Sequence, residues 1–255
     1  MPAGAPLVLV HGGAHGAWCW EPTLPFLGAR ALAVDLPGRG GTPGDLATLT
    51  VGGCAASVLA DADAAGLDRF VLVGHSLAGL TVPEVAALAP ERVLHLVFVS
   101  CAIPPEGGAL VDTLPASLRR LSRRAARRLG RRPAGFGSQL PRPVARRMFC
   151  DDMDEAQSRF VLERLGPDSL GLVTEPVSRR RLPTSVPKTY VLLRRDRSLG
   201  WSRQHAMVAN LVASPGGPVR LRWLDAGHDV MVSRPRALAA LLDEVAREAA
   251  GASGA

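Results

Sequence analysis

Phe70-Val71-Leu72-Val73-Gly74-His75-Ser76-Leu77-Ala78-Gly79 is an apolar run that ends in small residues around a serine. Its first four residues read as a buried strand, and the stretch from Leu77 to about Ala89 reads as a helix. A strand, a tight turn and a helix in that order lift a serine hydroxyl to the C-terminal edge of a sheet. The positions two before and two after the serine must be small, because side chains there collide inside the turn. Gly74 meets that demand, and Ala78 adds only a methyl. Ser76 is therefore a candidate nucleophile. The competing reading of the same residues is a buried serine that caps the helix.

Working outward, strands and helices alternate. Leu7–Val10 is a short apolar strand, followed by a Gly-rich loop and a helix near Trp20–Leu27. A strand at Ala31–Val34, a helix over about Thr50–Ala65 and a strand at Val93–Val99 complete the first part. Later come a strand at Tyr190–Leu193, a helix near Ser202–Val212, a strand at Val219–Trp223 and a closing helix at Pro235–Ala249. Strands apolar on both faces, separated by amphipathic helices, predict an α/β fold with a mostly parallel sheet covered on both sides. Residues 104–186 lack strand signals and read as helices. Because the sheet resumes afterwards, they form a helical cap inserted into a core made of 1–103 and 187–255.

A serine hydroxyl needs a base, and the base needs an acid to orient it. His228 lies in Asp225-Ala226-Gly227-His228, just beyond the Val219–Trp223 strand, so it emerges at the same sheet edge as Ser76. His95 falls inside a strand, His205 faces out of a helix and His75 is held in the turn. His11 and His15 sit in the Gly-rich loop, which they shape. Asp196 follows the Tyr190–Leu193 strand and is the candidate acid, although its arginine neighbours also permit a surface ion pair. Asp225 and Asp229 are nearer to His228 in sequence but share its loop and would have to fold back to reach it.

Attack on a carbonyl creates an oxyanion that needs two fixed N–H donors. The amide of Leu77 and that of Gly13, in His11-Gly12-Gly13-Ala14-His15-Gly16, are the candidates. The same loop contains neither a Gly-x-Gly-x-x-Gly nor a Gly-Lys-Ser/Thr pattern, so a phosphate cradle is a poor reading.

Composition narrows the function classes. Of 255 residues, 47% are hydrophobic and 21% charged, which fits one globular domain with an insertion. The longest apolar run, Val93 to Ile103, is interrupted by His95 and too short to span a bilayer. No basic n-region precedes the first strand, so no signal peptide is read. Cys19, Cys54, Cys101 and Cys150 are scattered, which favours free thiols in a reducing compartment, the cytoplasm, over disulfides or structural zinc. The net charge of +7 is local. Eleven arginines lie between Asp112 and Asp151 with no acid among them, and subtracting those eleven leaves −4 for the rest. Arg119, Arg120, Arg123, Arg124, Arg127, Arg128, Arg131 and Arg132 predict an amphipathic helix with a basic stripe. A solvated helix face is one reading. Docking of an acidic carrier protein bearing a tethered substrate is the other. Duplex nucleic acid is disfavoured, because no binding motif or stacking aromatic accompanies the stripe.

Together these residues resemble the alpha/beta-hydrolase superfamily, in the branch of plant methylesterases, hydroxynitrile lyases and small bacterial esterases. The resemblance rests on His11-Gly12-Gly13-Ala14-His15-Gly16-Ala17-Trp18-Cys19-Trp20, on Gly74-His75-Ser76-Leu77-Ala78-Gly79, on the strand leading to Asp196 and on His228-Asp229-Val230-Met231. Met148-Phe149-Cys150-Asp151-Asp152 is similar to bacterial members. The resemblance implies a cofactor-free serine hydrolase with Ser76 attacking, His228 shuttling the proton and Asp196 orienting it. Hydroxynitrile lyases of this branch carry a threonine where Gly12 stands and a lysine where Asp229 stands, so cyanogenic lyase activity is not implied. Asp229 itself would either raise the pKa of His228 or compete with Asp196 for it.

The reading reached is cleavage of a carboxylic ester of a small to medium, largely apolar molecule through an acyl-enzyme. Gly12, His15 and Phe149 are candidate substrate contacts. Leu110, Leu114, Met148, Phe160, Leu172 and Phe136 would line the pocket or form the cap's own core. Two alternatives remain: a thioesterase or tailoring hydrolase or lyase of a biosynthetic pathway, and a ligand-binding protein that kept the fold.

Overall fold

The computed structural model describes residues 4–114, 116, 119–120, 123–124, 133–134 and 141–252. Most of the predicted basic helix, Arg119–Arg132, lies outside them, as does Phe136.

Six strands build one parallel sheet: β1 (Leu7–Val10), β2 (Ala31–Val34), β3 (Phe70–His75), β4 (Val93–Val99), β7 (Lys188–Leu193) and β8 (Val219–Leu224). Their order is β2-β1-β3-β4-β7-β8. Two short strands, β5 (Pro133–Ala134) and β6 (Asp168–Ser169), pair antiparallel with each other in the segment between β4 and β7. The chain leaves β1 toward one edge and returns to β3 on the other side of β1. Loops after β1 and β3 therefore diverge, and the crevice between them is where open α/β sheets place their sites.

Side-chain alternation explains the layers. Val8, Val10, Phe70, Leu72, Leu96 and Phe98 point to one face, where they pack on helices α1 (Val51–Ala64) and α2 (Thr81–Leu88). Leu7, Leu9, Val71, Val73, Val97 and Val99 point to the other, against the closing helix α8 (Pro235–Ala252). Helices α3 (Arg142–Phe149), α4 (Glu155–Leu162) and α5 (Leu170–Thr174) belong to the segment between β4 and β7. Two more, α6 (Trp201–Val212) and α7 (Val230–Ser233), follow β7 and β8. Helix α8 buries Leu238, Leu241, Leu242, Val245 and Ala249, the spacing of a single helical stripe. Helix α1 starts where Thr50 Oγ1 accepts the Gly53 N–H at 3.0 Å.

Three expectations differ. The segment read as helices alone also holds the antiparallel pair β5–β6. The helix predicted near Trp20–Leu27 is instead a pair of 3₁₀ turns, Ala17–Trp20 and Leu24–Phe26. Pro22 and Pro25 supply no N–H to a helical ladder, which accounts for the break. The helix predicted from Leu77 begins as a 3₁₀ turn, Ser76–Gly79, before α2. That turn is pressed against the loop after β4: Ala102 N donates to Ser76 O at 2.8 Å, and a Cβ on Gly79 would fall 2.4 Å from Ala102 O. Neither atom can swing aside. Gly79→Ala is expected to cost about 1–3 kcal/mol through overpacking, read as a lower urea midpoint at unchanged slope.

Candidate active site

Ser76 has φ 52°, a left-handed conformation that a non-glycine residue adopts only under strain. The turn holds its hydroxyl at the end of β3. There Ser76 Oγ lies 2.9 Å from His228 Nε2, and His228 Nδ1 lies 2.7 Å from Asp196 Oδ2. Three residues far apart in sequence thus form one hydrogen-bonded line at the C-terminal sheet edge. The Asp196 carboxylate accepts, so Nδ1 of His228 carries a proton and Nε2 is free to accept from the serine.

Asp196 is fixed from several sides. Ser100 Oγ donates to Oδ2 at 2.6 Å, while the amides of Ser198 and Leu199 donate to Oδ1 at 2.8 and 2.7 Å. Burial opposes its charge, yet His228 and these donors hold its pKa below the usual carboxylate value. Burial likewise opposes charging of His228, and the nearby carboxylates of Asp196, Asp229 and Asp151 outweigh it, raising its pKa above 6.5. The arginines around Asp196 are engaged elsewhere: Arg195 pairs with Asp225, and Arg197 with Asp151. The surface ion pair that the sequence permitted for Asp196 is therefore not formed.

Asp229 is bound to a different histidine. His15 Nε2 lies 2.8 Å from Asp229 Oδ2, and His15 Nδ1 lies 2.7 Å from the Gly13 carbonyl. Both ring nitrogens face acceptors, which suits an imidazolium. Burial disfavours both charges, but the ion pair prevails, with the pKa of His15 raised and that of Asp229 lowered. Asp229 thus adds to the field on His228 without taking its Nδ1 from Asp196. His75 stays neutral: burial and His228 push its pKa to about 3, and its Nε2–H donates to the His228 carbonyl at 3.0 Å. His11 is also neutral, with a pKa lowered by burial to about 3, and its Nε2 accepts the Leu36 N–H at 3.1 Å.

The line of three opens into a cavity of about 410 Å³. Gly13 and Leu77 are both on its wall, and a Cβ on Gly13 would sit 3.1 Å from Leu77 Cδ2, so the two candidate N–H donors belong to adjoining loops. Leu110, Leu114, Met148 and Phe149 also line the cavity. Phe160 instead packs on Trp18, with ring centroids 5.6 Å apart, and Leu172 joins the core beneath. Gly12 and His15 are not on the cavity wall. Gly12 is packed so closely under the turn that a Cβ would lie 2.8 Å from Ser76 Cβ, and His15 is buried with both nitrogens occupied. The substrate contacts expected of these two residues are replaced by structural ones.

Two buried residues escaped the sequence reading. Asp168 on β6 accepts the Ala14 N–H at 2.7 Å and forms an ion pair with Arg39. Ser100 at the end of β4 was also missed, although a small polar residue closing an apolar strand at the active edge is a readable signal.

Among the described residues, His75, His228 and Asp229 are spaced to hold a metal ion. Only His75 Nδ1 and Asp229 Oδ1 lack hydrogen-bond partners there. Two donor atoms fall short of the three or four protein ligands a zinc-type site needs, unless the Ser76–His228–Asp196 line is broken.

A sequence profile described as the alpha/beta hydrolase family matches residues 7–241. The chain belongs to the alpha/beta hydrolase family. Within it, the chain is 30% identical to "Esterase PIR7B" of rice, an alignment that spans 94% of this chain and 95% of that protein. It is 34% identical over 45% of its length to a "Carbendazim hydrolyzing esterase" of a Nocardioides strain, covering 49% of that protein. An extracellular alpha/beta-hydrolase from a Paenibacillus species superimposes with a TM-score of 0.80 at 22% identity, covering 95% of this chain and 99% of that one. Polyneuridine aldehyde esterase gives a TM-score of 0.73 at 22% identity, with 95% and 99% covered. The six-stranded sheet is thus that of an esterase-like alpha/beta hydrolase. Among the described residues no helix is long and apolar enough to cross a membrane.

Proposed function

We propose that the chain hydrolyses carboxylic esters of small to medium, largely apolar molecules through an acyl-enzyme on Ser76. The observation that carries this reading is the line Ser76 Oγ, His228, Asp196, at 2.9 and 2.7 Å, opening into the 410 Å³ cavity. Ser76 Oγ attacks the carbonyl carbon while His228 Nε2 takes its proton, and Asp196 stabilises the imidazolium that results. The N–H groups of Gly13 and Leu77 receive the oxyanion. Collapse breaks the acyl C–O bond, and the alcohol leaves with the proton from His228. Water then adds to the acyl carbon by the same route and frees the acid. All four cysteines are free and buried, which supports a reducing compartment, the cytoplasm.

The test is hydrolysis of p-nitrophenyl acetate, butyrate and octanoate, with mass spectrometry of the quenched enzyme for an acyl adduct on Ser76. Turnover with an adduct supports the reading. Absence of turnover with all three esters overturns it.

The pH profile follows from the same groups. A base works in its neutral form, so a raised His228 pKa moves the ascending limb of kcat/KM to higher pH. The inflection is expected above 6.5, the ordinary histidine value. Asp196→Asn removes the largest of the raising charges. It should shift the limb toward lower pH and reduce kcat about 10³- to 10⁴-fold. A limb that does not move on this substitution would assign the inflection to another group.

A further inference from the structure

We infer that the cavity selects esters that carry a second, ionised acidic group, with Arg203 as the residue that recognises it. This deepens the proposed function and rests on Ser76 being the ester-cleaving nucleophile. Besides neutral residues, the cavity wall holds Asp168, His228 and Arg203. Asp168 is neutralised by Arg39, and His228 is paired with Asp196. Arg203 alone is uncompensated: its guanidinium makes no hydrogen bond and has no carboxylate within 4.0 Å among the described residues. The sequence from residue 113 to 150, which includes Leu114 on the cavity wall, holds eleven arginines and no acid.

The position of Arg203 has no local explanation. It sits in the first turn of α6, which contains no acidic residue, and a cation there opposes the helix dipole. The residue is half-buried beside a mainly apolar wall, so its charge is less screened than a fully solvated one. An ester whose far end is a carboxylate would place its chain along Leu110, Met148 and Phe149 and its charge at Arg203. The guanidinium fork is suited to a bidentate carboxylate. The half-esters of dicarboxylic acids are the simplest members of this class. Hydrolysis breaks the remaining acyl C–O bond and adds water, giving an alcohol and the diacid.

Methyl hydrogen suberate and methyl octanoate have acyl chains of equal length and differ in the terminal carboxylate. We would measure kcat/KM for both, by methanol release, in wild type, Arg203→Met and Arg203→Lys. The ratio of half-ester to neutral ester is expected to fall about 10- to 100-fold in Arg203→Met, mostly through KM. Arg203→Lys should retain part of the preference, and added salt should erode it. If methyl octanoate is hydrolysed but the ratio is the same in wild type and Arg203→Met, the anion preference is overturned and the esterase reading stands. If neither ester is hydrolysed, the esterase reading fails, and binding to Ser76→Ala decides the rest. Thermal stabilisation by the half-ester that exceeds that by methyl octanoate, and is lost with Arg203→Met, supports the anionic subsite. Equal stabilisation, or none, overturns it.

Discussion

Ser76→Ala is expected to lower kcat/KM for p-nitrophenyl butyrate about 10⁴- to 10⁶-fold while leaving the fold intact. The expectation on rate follows from the proposed mechanism: without the Ser76 hydroxyl, His228 and Asp196 have nothing to activate, and only binding and the oxyanion donors are left. The expectation on stability follows from the site. Alanine bears the same φ of 52° at the same cost as serine, and the main-chain contact of Ser76 O with Ala102 N is kept. Only the bond from Oγ to His228 Nε2 is lost, and His228 stays anchored through Nδ1 on Asp196. The melting temperature should shift by a few degrees at most. The double variant Ser76→Ala/His228→Ala should be no slower than the single one, because the two side chains act as a unit. A Ser76→Ala protein with more than a tenth of wild-type activity would move the nucleophile elsewhere.

The central part of this site was legible because it is local or topological. Ser76 is announced by its own neighbours: an apolar strand before it, Gly74 and Ala78 beside it. His228 and Asp196 follow from the rule that consecutive parallel strands deliver their C-terminal loops to one edge, so β7 and β8 had to bring both to the edge that carries Ser76. The sheet was readable for a similar reason, since β1, β3 and β4 are buried on both faces and need no partner information to be recognised. Strand β8 is different. It is the edge strand, with Trp223 57% exposed, and its mixed pattern of arginine and apolar residues reflects that position.

What stayed hidden depends on contacts that no local pattern encodes. Asp229 lies beside His228 in sequence, yet its partner is His15, 214 positions away. Nothing in Gly227-His228-Asp229-Val230 distinguishes a carboxylate facing His228 Nδ1 from one facing the loop after β1. The break near Trp20–Leu27 has the opposite origin: Pro22 and Pro25 are local signals, and their missing N–H groups prevent a continuous helical ladder. Asp168 is the most consequential omission, because it lies in a segment whose sequence signals are weak while its contacts run to Ala14 and Arg39.

Those contacts support a second large effect. Ala14 has φ 64°, a conformation that L-residues avoid, so the loop carrying Gly13 needs an external hold. The Asp168 carboxylate supplies it through the Ala14 N–H, with Oδ2 so close to Gly13 that a Cβ there would lie 2.8 Å away. On its other side the charge is met by the buried Arg39. Asp168→Leu removes the acceptor and strands a buried guanidinium, at a cost of about 3–5 kcal/mol. With the loop relaxed, kcat should fall about 10²-fold, the order associated with loss of one oxyanion donor. The double variant Arg39→Met/Asp168→Leu separates the two consequences. Removing both charges is expected to return most of the stability, since an apolar pair can replace a buried ion pair. Activity should stay low, because the Ala14 N–H is still without its acceptor. Urea midpoints and kcat of the wild type and these two variants would be measured together. If the double variant recovers activity along with stability, Asp168 only balances Arg39. If stability alone returns, the carboxylate between β6 and the loop after β1 is what positions Gly13 for the oxyanion.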